Sequence, residues 1–217
     1  MSEQDTKARP VLLRKSYADQ VYQYIRDLIL SGDLKQGDKI VEEKIAQQFG
    51  VSRTPIREAL TRLQVAGLVR LKPRSYVEVA RIEQDEVADI AELRLNLERM
   101  AFRRMCENFS PVYIEQLHAV AEDARTALLG RNKAAYFELD SHFHTLATKL
   151  SGNGELYTMY SHFAGKIQLL RIAQEVPMDR LEIYMRQHFD LLEMLAEQRI
   201  GAIDELLQIH IVHDIHH

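Results

Sequence analysis

The chain has no tryptophan, a single cysteine and only five prolines among its 217 residues. One cysteine, Cys106, excludes an internal disulfide and fits a reducing cytoplasmic setting. No apolar run approaches the length of about 20 residues that crosses a bilayer. The opening Met1-Ser2-Glu3-Gln4-Asp5 is too polar for a secretory signal. Few prolines, with apolar residues at helical spacing along most of the chain, point to a mostly helical protein. There is no internal repeat, and bias in composition is confined to the histidine-rich end. The length suits two domains of ordinary size.

Charge divides the chain in two. Residues 1–82 carry 15 Lys and Arg against 10 Asp and Glu, and the remainder carries 13 against 22. The net values, +5 and −9, add to the overall −4. A mildly acidic protein thus has a basic N-terminal third, as a duplex-binding head joined to an acidic partner domain would have.

Within that head, Tyr17 to Ser31 carries Val21, Ile25, Leu28 and Ile29 on one helical stripe, closed by Gly32 and the turn Lys35-Gln36-Gly37-Asp38. A short helix is predicted over about Glu42 to Phe49, then a tight turn at Gly50-Val51-Ser52. A second helix runs to about Ala66, buried through Ile56, Leu60 and Leu63. Gly50 supplies the left-handed residue that ends one helix, Ser52 caps the next, and Pro55 is tolerated in its first turn. Arg53 and Arg57 then lie one turn apart on one face, beside Thr54 at a helix N-terminus. That face suits phosphates and guanine edges in a major groove. Leu68-Val69-Arg70-Leu71 and Tyr76-Val77-Glu78-Val79 read as two short strands, joined through Lys72-Pro73-Arg74-Ser75. This is a winged helix-turn-helix with a basic wing tip.

From Asp85 onward the pattern is helical, with breaks at Ser110-Pro111, Gly130-Arg131-Asn132, Ser151-Gly152-Asn153-Gly154, Val176-Pro177 and Arg199-Ile200-Gly201. Six helices follow: 85–108, 111–129, 132–150, 154–175, 177–198 and 200–216. Short turns favour an antiparallel bundle. The fold class is therefore mainly α, an N-terminal winged helix-turn-helix followed by a C-terminal antiparallel all-α helical bundle. The domains are a loose arm over 1–10, the DNA-binding head over 11–80 and the bundle over 81–217.

Four residues in the bundle share an unusual placement. Asp140 and His144 are four apart and project from one helical face. His188 lies on the stripe Leu181, Tyr184, His188, Leu191, Leu195, and His210 on Ile203, Leu207, His210. Any one of these histidines reads simply as a core residue bonded to a carbonyl. Three on separate inward stripes, with an inward carboxylate, suit a divalent transition metal such as zinc, nickel or manganese. His213 is the rival to His210, whereas His118, His142 and His162 fall on polar margins. A metalloenzyme is the alternative from another class, but no carboxylate is clearly placed as a base; Glu138 and Asp190 are nearest in sequence. A metal-free polar cluster that binds an organic acid directly is the third.

Ser52-Arg53-Thr54-Pro55-Ile56-Arg57-Glu58-Ala59-Leu60, followed by Leu63 and Gly67-Leu68, resembles the GntR family of bacterial transcription regulators. The resemblance implies that Ser52, Arg53, Thr54 and Arg57 touch DNA and that Arg74 reaches a minor groove or backbone from the wing. Glu43 stands where some relatives have a DNA-contacting arginine, with Lys44 beside it as a partial substitute. Ser75 stands where many have glycine. Asp140-x-x-Phe143-His144, Ser151-Gly152-Asn153, Gln187-His188 and His210 are similar to the FCD-type domain of the FadR branch, and six helices resemble its VanR-like subgroup. That likeness implies a metal on Asp140, His144, His188 and His210, most simply Zn2+, with open positions for an effector carboxylate. Arg94 matches an arginine that lines the effector pocket, although a salt bridge to Glu98, its i+4 neighbour, is its ordinary alternative. The expected partners are a palindromic double-stranded DNA operator, a small carboxylate and a second copy in a homodimer, with no membrane. Repressor or activator depends on where the operator lies.

Overall fold

The computed structural model describes residues 16–72, 76–174 and 176–212. The expected N-terminal arm, the wing tip with Arg74 and Ser75, and His213 lie outside the described residues.

The head begins with α1, Tyr17–Ser31. Ser16 and Asp19 form a capping box: the Asp19 amide donates to Ser16 Oγ at 3.1 Å, and the Ser16 amide donates to Asp19 Oδ2 at 3.0 Å. A two-residue strand, β1 (Lys39–Ile40), precedes α2 (Glu42–Phe49), α3 (Arg53–Val65), β2 (Val69–Lys72) and β3 (Tyr76–Val79). The sheet is antiparallel in the order β1-β3-β2, with Ile40 opposite Val77 and Val69 opposite Val79. The sequence pattern gave β2 and β3 but not β1, which is too short to show alternation. Gly50 takes φ +64°, as the end of α2 requires. Ser52 occupies the cap position of α3, but its hydroxyl bonds no backbone amide there, so the geometry of the turn rather than a side-chain cap starts that helix. Val21, Ile25, Ile56, Leu60 and Leu63 are almost fully buried, each contributing about 1.5–3 kcal/mol.

Six helices form the bundle: α4 (Glu86–Glu107), α5 (Pro111–Leu129), α6 (Lys133–Leu150), α7 (Gly154–Ala173), α8 (Met178–Ala196) and α9 (Ile200–Val212). These follow the predicted boundaries closely, because the stops are chemically explicit. Pro111 opens α5, Asn132 accepts from the Ala135 amide at 3.1 Å, and Asn153 accepts from the Leu156 amide at 3.1 Å. α5 packs between α6 and α8, while α4 lies against α6, α7 and α9.

Head and bundle meet along α7. Leu169 belongs to the apolar core of the head, among Val21, Ile25, Leu68 and Val79. Gln36 Nε2 donates to the Leu169 carbonyl at 3.0 Å, and Gln36 Oε1 accepts from the Ile82 amide at 2.9 Å. Gly165 lies so close to the turn after α3 that a Cβ there would overlap the Ala66 carbonyl. Arg26 of α1 pairs with Glu138 of α6 at 2.6 Å. The boundary near residue 80 is therefore a boundary of connectivity, while the two cores touch.

Candidate functional site

In the helix-turn-helix, Lys44, Ser52, Arg53, Thr54 and Arg57 are all exposed. Ile56, Ala59, Leu60 and Leu63 are buried on the opposite side of α3, which fixes the direction in which the arginines point. Arg53 Nη2 lies 3.1 Å from Glu43 Oε1, and Arg57 Nε lies 3.0 Å from Glu42 Oε2. Both are solvent-facing pairs of the kind that contributes about 0–1 kcal/mol, so phosphate or guanine can take over either guanidinium. Lys72 at the root of the wing pairs with Glu78 at 2.9 Å. Arg74 lies outside the described residues.

The second site is in the middle of the bundle. α6 brings Asp140 and His144, α8 brings His188, and α9 brings His210, all of them buried. Their ligand atoms lie within 4.8 Å of one another. His144 Nε2 is 3.1 Å from His188 Nε2 and 3.2 Å from His210 Nε2, and Asp140 Oδ1 is 3.4 Å from His188 Nε2. Metal–nitrogen bonds of about 2.0–2.1 Å place neighbouring ligand nitrogens about 3.0–3.4 Å apart, which matches this spacing. His118, His142 and His162 are exposed and stand apart from the cluster.

The partners of the rings decide what those nitrogens offer. His210 Nδ1 lies 2.8 Å from Gln187 Oε1, so that nitrogen carries the proton and Nε2 is left as a bare lone pair. His144 Nδ1 lies 2.8 Å from Glu98 Oε2, a buried carboxylate that faces the ring from α4. Phe143 stacks on His188 at 4.4 Å between ring centres and fixes its plane. Burial, reinforced by the neighbouring histidines, pushes His188 and His210 well below the ordinary histidine range. Burial also lowers His144, against the opposing pull of Glu98. Three imidazole nitrogens and a carboxylate oxygen converge within 4.8 Å, and this donor set fits a divalent transition metal.

Three residues at this site were not singled out from sequence. Glu98, fully buried, was read only as a partner for Arg94. Arg94 Nε does donate to Glu98 Oε1 at 2.7 Å, and Arg94 Nη2 also lies 3.1 Å from His144 Nε2. The salt bridge to Glu98 is thus present, and the same guanidinium also reaches the buried donor set. Tyr160 Oη donates to Glu98 Oε1 at 2.6 Å. Burial pushes the Glu98 carboxyl up, but Arg94, His144 and the Tyr160 hydroxyl outweigh it and hold it well below the usual carboxylate range. Arg171 of α7 was missed altogether and forms an ion pair with Asp140 Oδ2. Its signal was a charged residue on the inward stripe of Ile167, Gln168 and Leu169. Glu138, nearest to Asp140 in sequence, faces Arg26 instead.

Residues 17–79 match the family described as "Bacterial regulatory proteins, gntR family", and residues 89–213 match the FCD domain. The chain belongs to the GntR family of transcription regulators, with an FCD effector domain. It is similar to the HTH-type transcriptional regulator YdhC of Bacillus subtilis, at 27% identity over 93% of this chain and 90% of that protein. It is also similar to the HTH-type transcriptional repressor RspR of Escherichia coli, at 24% identity over 88% of this chain and 84% of that one. Among solved structures, E. coli McbR/YncC shares the fold with a TM-score of 0.77 and 21% identity, over 93% of this chain and 96% of its own. The GntR-family relatives are regulators, and this regulator is not an enzyme. No helix among its described residues is long and apolar enough to cross a membrane.

Proposed function

We propose that this regulator binds a palindromic operator as a cytoplasmic homodimer and responds to a small organic acid at a metal centre in the bundle. The observation that carries the reading is the buried convergence of Asp140, His144, His188 and His210 in a chain whose other end is a helix-turn-helix. α3 enters the major groove, where Arg53 and Arg57 reach base edges and Ser52, Thr54 and Lys44 meet phosphates. Arg74 contacts the minor groove or backbone from the wing. Asp140 and the three histidines hold the ion, with Zn2+ the simplest choice and Ni2+ or Mn2+ compatible. Such an ion supplies Lewis acidity that draws a carboxylate, and Arg94 stands beside it as a clamp. α7 carries the change to the head, because Arg171 pairs with Asp140 while Leu169 lies in the head's core.

The experiment is elemental analysis of protein purified without affinity nickel, followed by a thermal-shift screen of organic acids with and without zinc. Stoichiometric metal and an acid that stabilises only the zinc-loaded protein are expected. An acid that stabilises the metal-free protein equally would assign the cluster to direct polar binding and remove the metal from the reading.

A further inference from the structure

We propose that Arg171 is a second anion-binding residue of the effector site and that the effector is a small dianion rather than a monocarboxylate. The inference rests on reading the four buried donors as a metal centre. It starts from what the two guanidinium groups do. Arg94 Nη2 sits 3.1 Å from His144 Nε2, and Arg171 is ion-paired with Asp140 Oδ2. Each cation occupies a ligand atom of the donor set. A divalent ion held by those donors would compete with both arginines for Asp140 and His144, while Arg94 would keep Glu98 as a partner.

Charge then selects the ligand. A histidine that holds a metal ion does so through a lone pair, as a neutral imidazole. The site's charges are the carboxylates Asp140 and Glu98 on one side and the guanidiniums of Arg94 and Arg171 on the other, all buried. These cancel, so a divalent ion leaves two positive charges in excess. Charge buried without compensation is costly, and an anion of two charges restores balance where a monoanion leaves half the excess. Arg94, Arg171 and Gln174 line one cavity between α4, α7 and α9, together with Ile90, Ile167 and Ile211. Its volume is about 20 Å³, room for about one water, so an acid enters only as the arginine side chains move aside. One carboxylate of the ligand goes to the metal and Arg94, and the other draws Arg171 away from Asp140. Because Arg171 lies on the helix that enters the head's core, a dianion acts on that helix and a monoanion does not.

The test uses zinc-loaded full-length protein and two isosteric probes, malate and the malate half-amide in which the carboxylate remote from the hydroxyl is replaced. Titration calorimetry should show malate binding tighter by about tenfold or more, the worth of one charge-assisted contact. Arg171→Gln should abolish the difference between malate and the half-amide when the two are compared on equally zinc-loaded protein. Arg171→Lys, which keeps the charge without the fork, should retain part of the preference. Equal binding of the two probes by the wild type, or an undiminished preference in Arg171→Gln, overturns the assignment and leaves the metal-and-carboxylate reading standing. Zinc binding with neither probe bound overturns both. Should Arg171→Gln fail to fold, judged by circular dichroism, the wild-type comparison and Arg171→Lys decide the matter.

Discussion

Replacing Gly165 by alanine sets two effects of opposite sign against each other. In an ordinary helix interior, glycine to alanine gains about 1 kcal/mol from backbone entropy. At Gly165 the added methyl would overlap the Ala66 carbonyl oxygen, lie 2.9 Å from the carbonyl carbon and lie 3.0 Å from Leu68 Cγ. The obstructing atoms are backbone, in the turn that leads into Gly67, and cannot rotate aside. Restoring ordinary contact requires the turn and α7 to separate by about 1 Å or more, and such overpacking costs about 1–3 kcal/mol or beyond. The relief available is undocking, which exposes Leu169, worth about 1.5–3 kcal/mol, and breaks the Gln36 bridge, worth about 1 kcal/mol. The clash outweighs the propensity gain.

Gly165→Ala is therefore expected to destabilise the head by about 2 kcal/mol, lowering the transition of a unit this size by about 8–16 °C. Calorimetry should show the head melting ahead of the bundle, and hydrogen exchange should quicken in α1, α3 and residues 66–68. A higher melting temperature with exchange unchanged would refute the reasoning, because that is what helix propensity alone predicts.

Other expectations follow from individual contacts. Glu98→Gln removes the carboxylate facing His144 Nδ1 and should weaken zinc binding by about 10–100-fold in a chelator competition, with helical content preserved. Arg53→Ala and Arg57→Ala should each cost about 1–3 kcal/mol of operator binding in mobility shifts, and unchanged shifts for both would end the recognition-helix assignment. Asp19 is held down to about 2 by Arg62 and by the Ser16 hydroxyl and amide. Its folded value lies below the unfolded 3.8, so its stabilisation is complete above about pH 4 and is lost as pH falls toward 2. The difference in melting temperature between wild type and Asp19→Asn should shrink over that interval. A difference that stays constant with pH would assign Asp19 to capping geometry alone.

What could be read in advance depended on how local the signal was. The starts of α5, α6 and α7 are written into Ser110-Pro111, Asn132 and Asn153, whose effect acts within three or four residues. Asp140, His144, His188 and His210 were legible because each interrupts an apolar stripe, and burial on a stripe is a property of one helix at a time. Glu98 and Arg171 were not, because their roles come from pairing across helices: Arg171 meets Asp140 and Glu98 meets His144 only after α4, α6 and α7 are packed. Ser52 shows the converse. Its place at the cap was evident, but its hydroxyl makes no cap hydrogen bond, since the turn from Gly50 already supplies the geometry. The short β1 carries too few residues for any period to register.

Leu169 and Arg171 stand two residues apart on α7, about 3 Å along its axis, yet one is set in the head's core and the other on a ligand of the buried donor set. No hinge or linker separates these two memberships. Whatever factor an effector imposes on operator affinity, the operator must impose on effector affinity in return. The regulator on DNA and the regulator free in solution are then two receptors with different appetites for the same effector. The effector concentration at half-response becomes a function of how many operator sites are present, so the genome's copy number of sites would enter the calibration of the sensor.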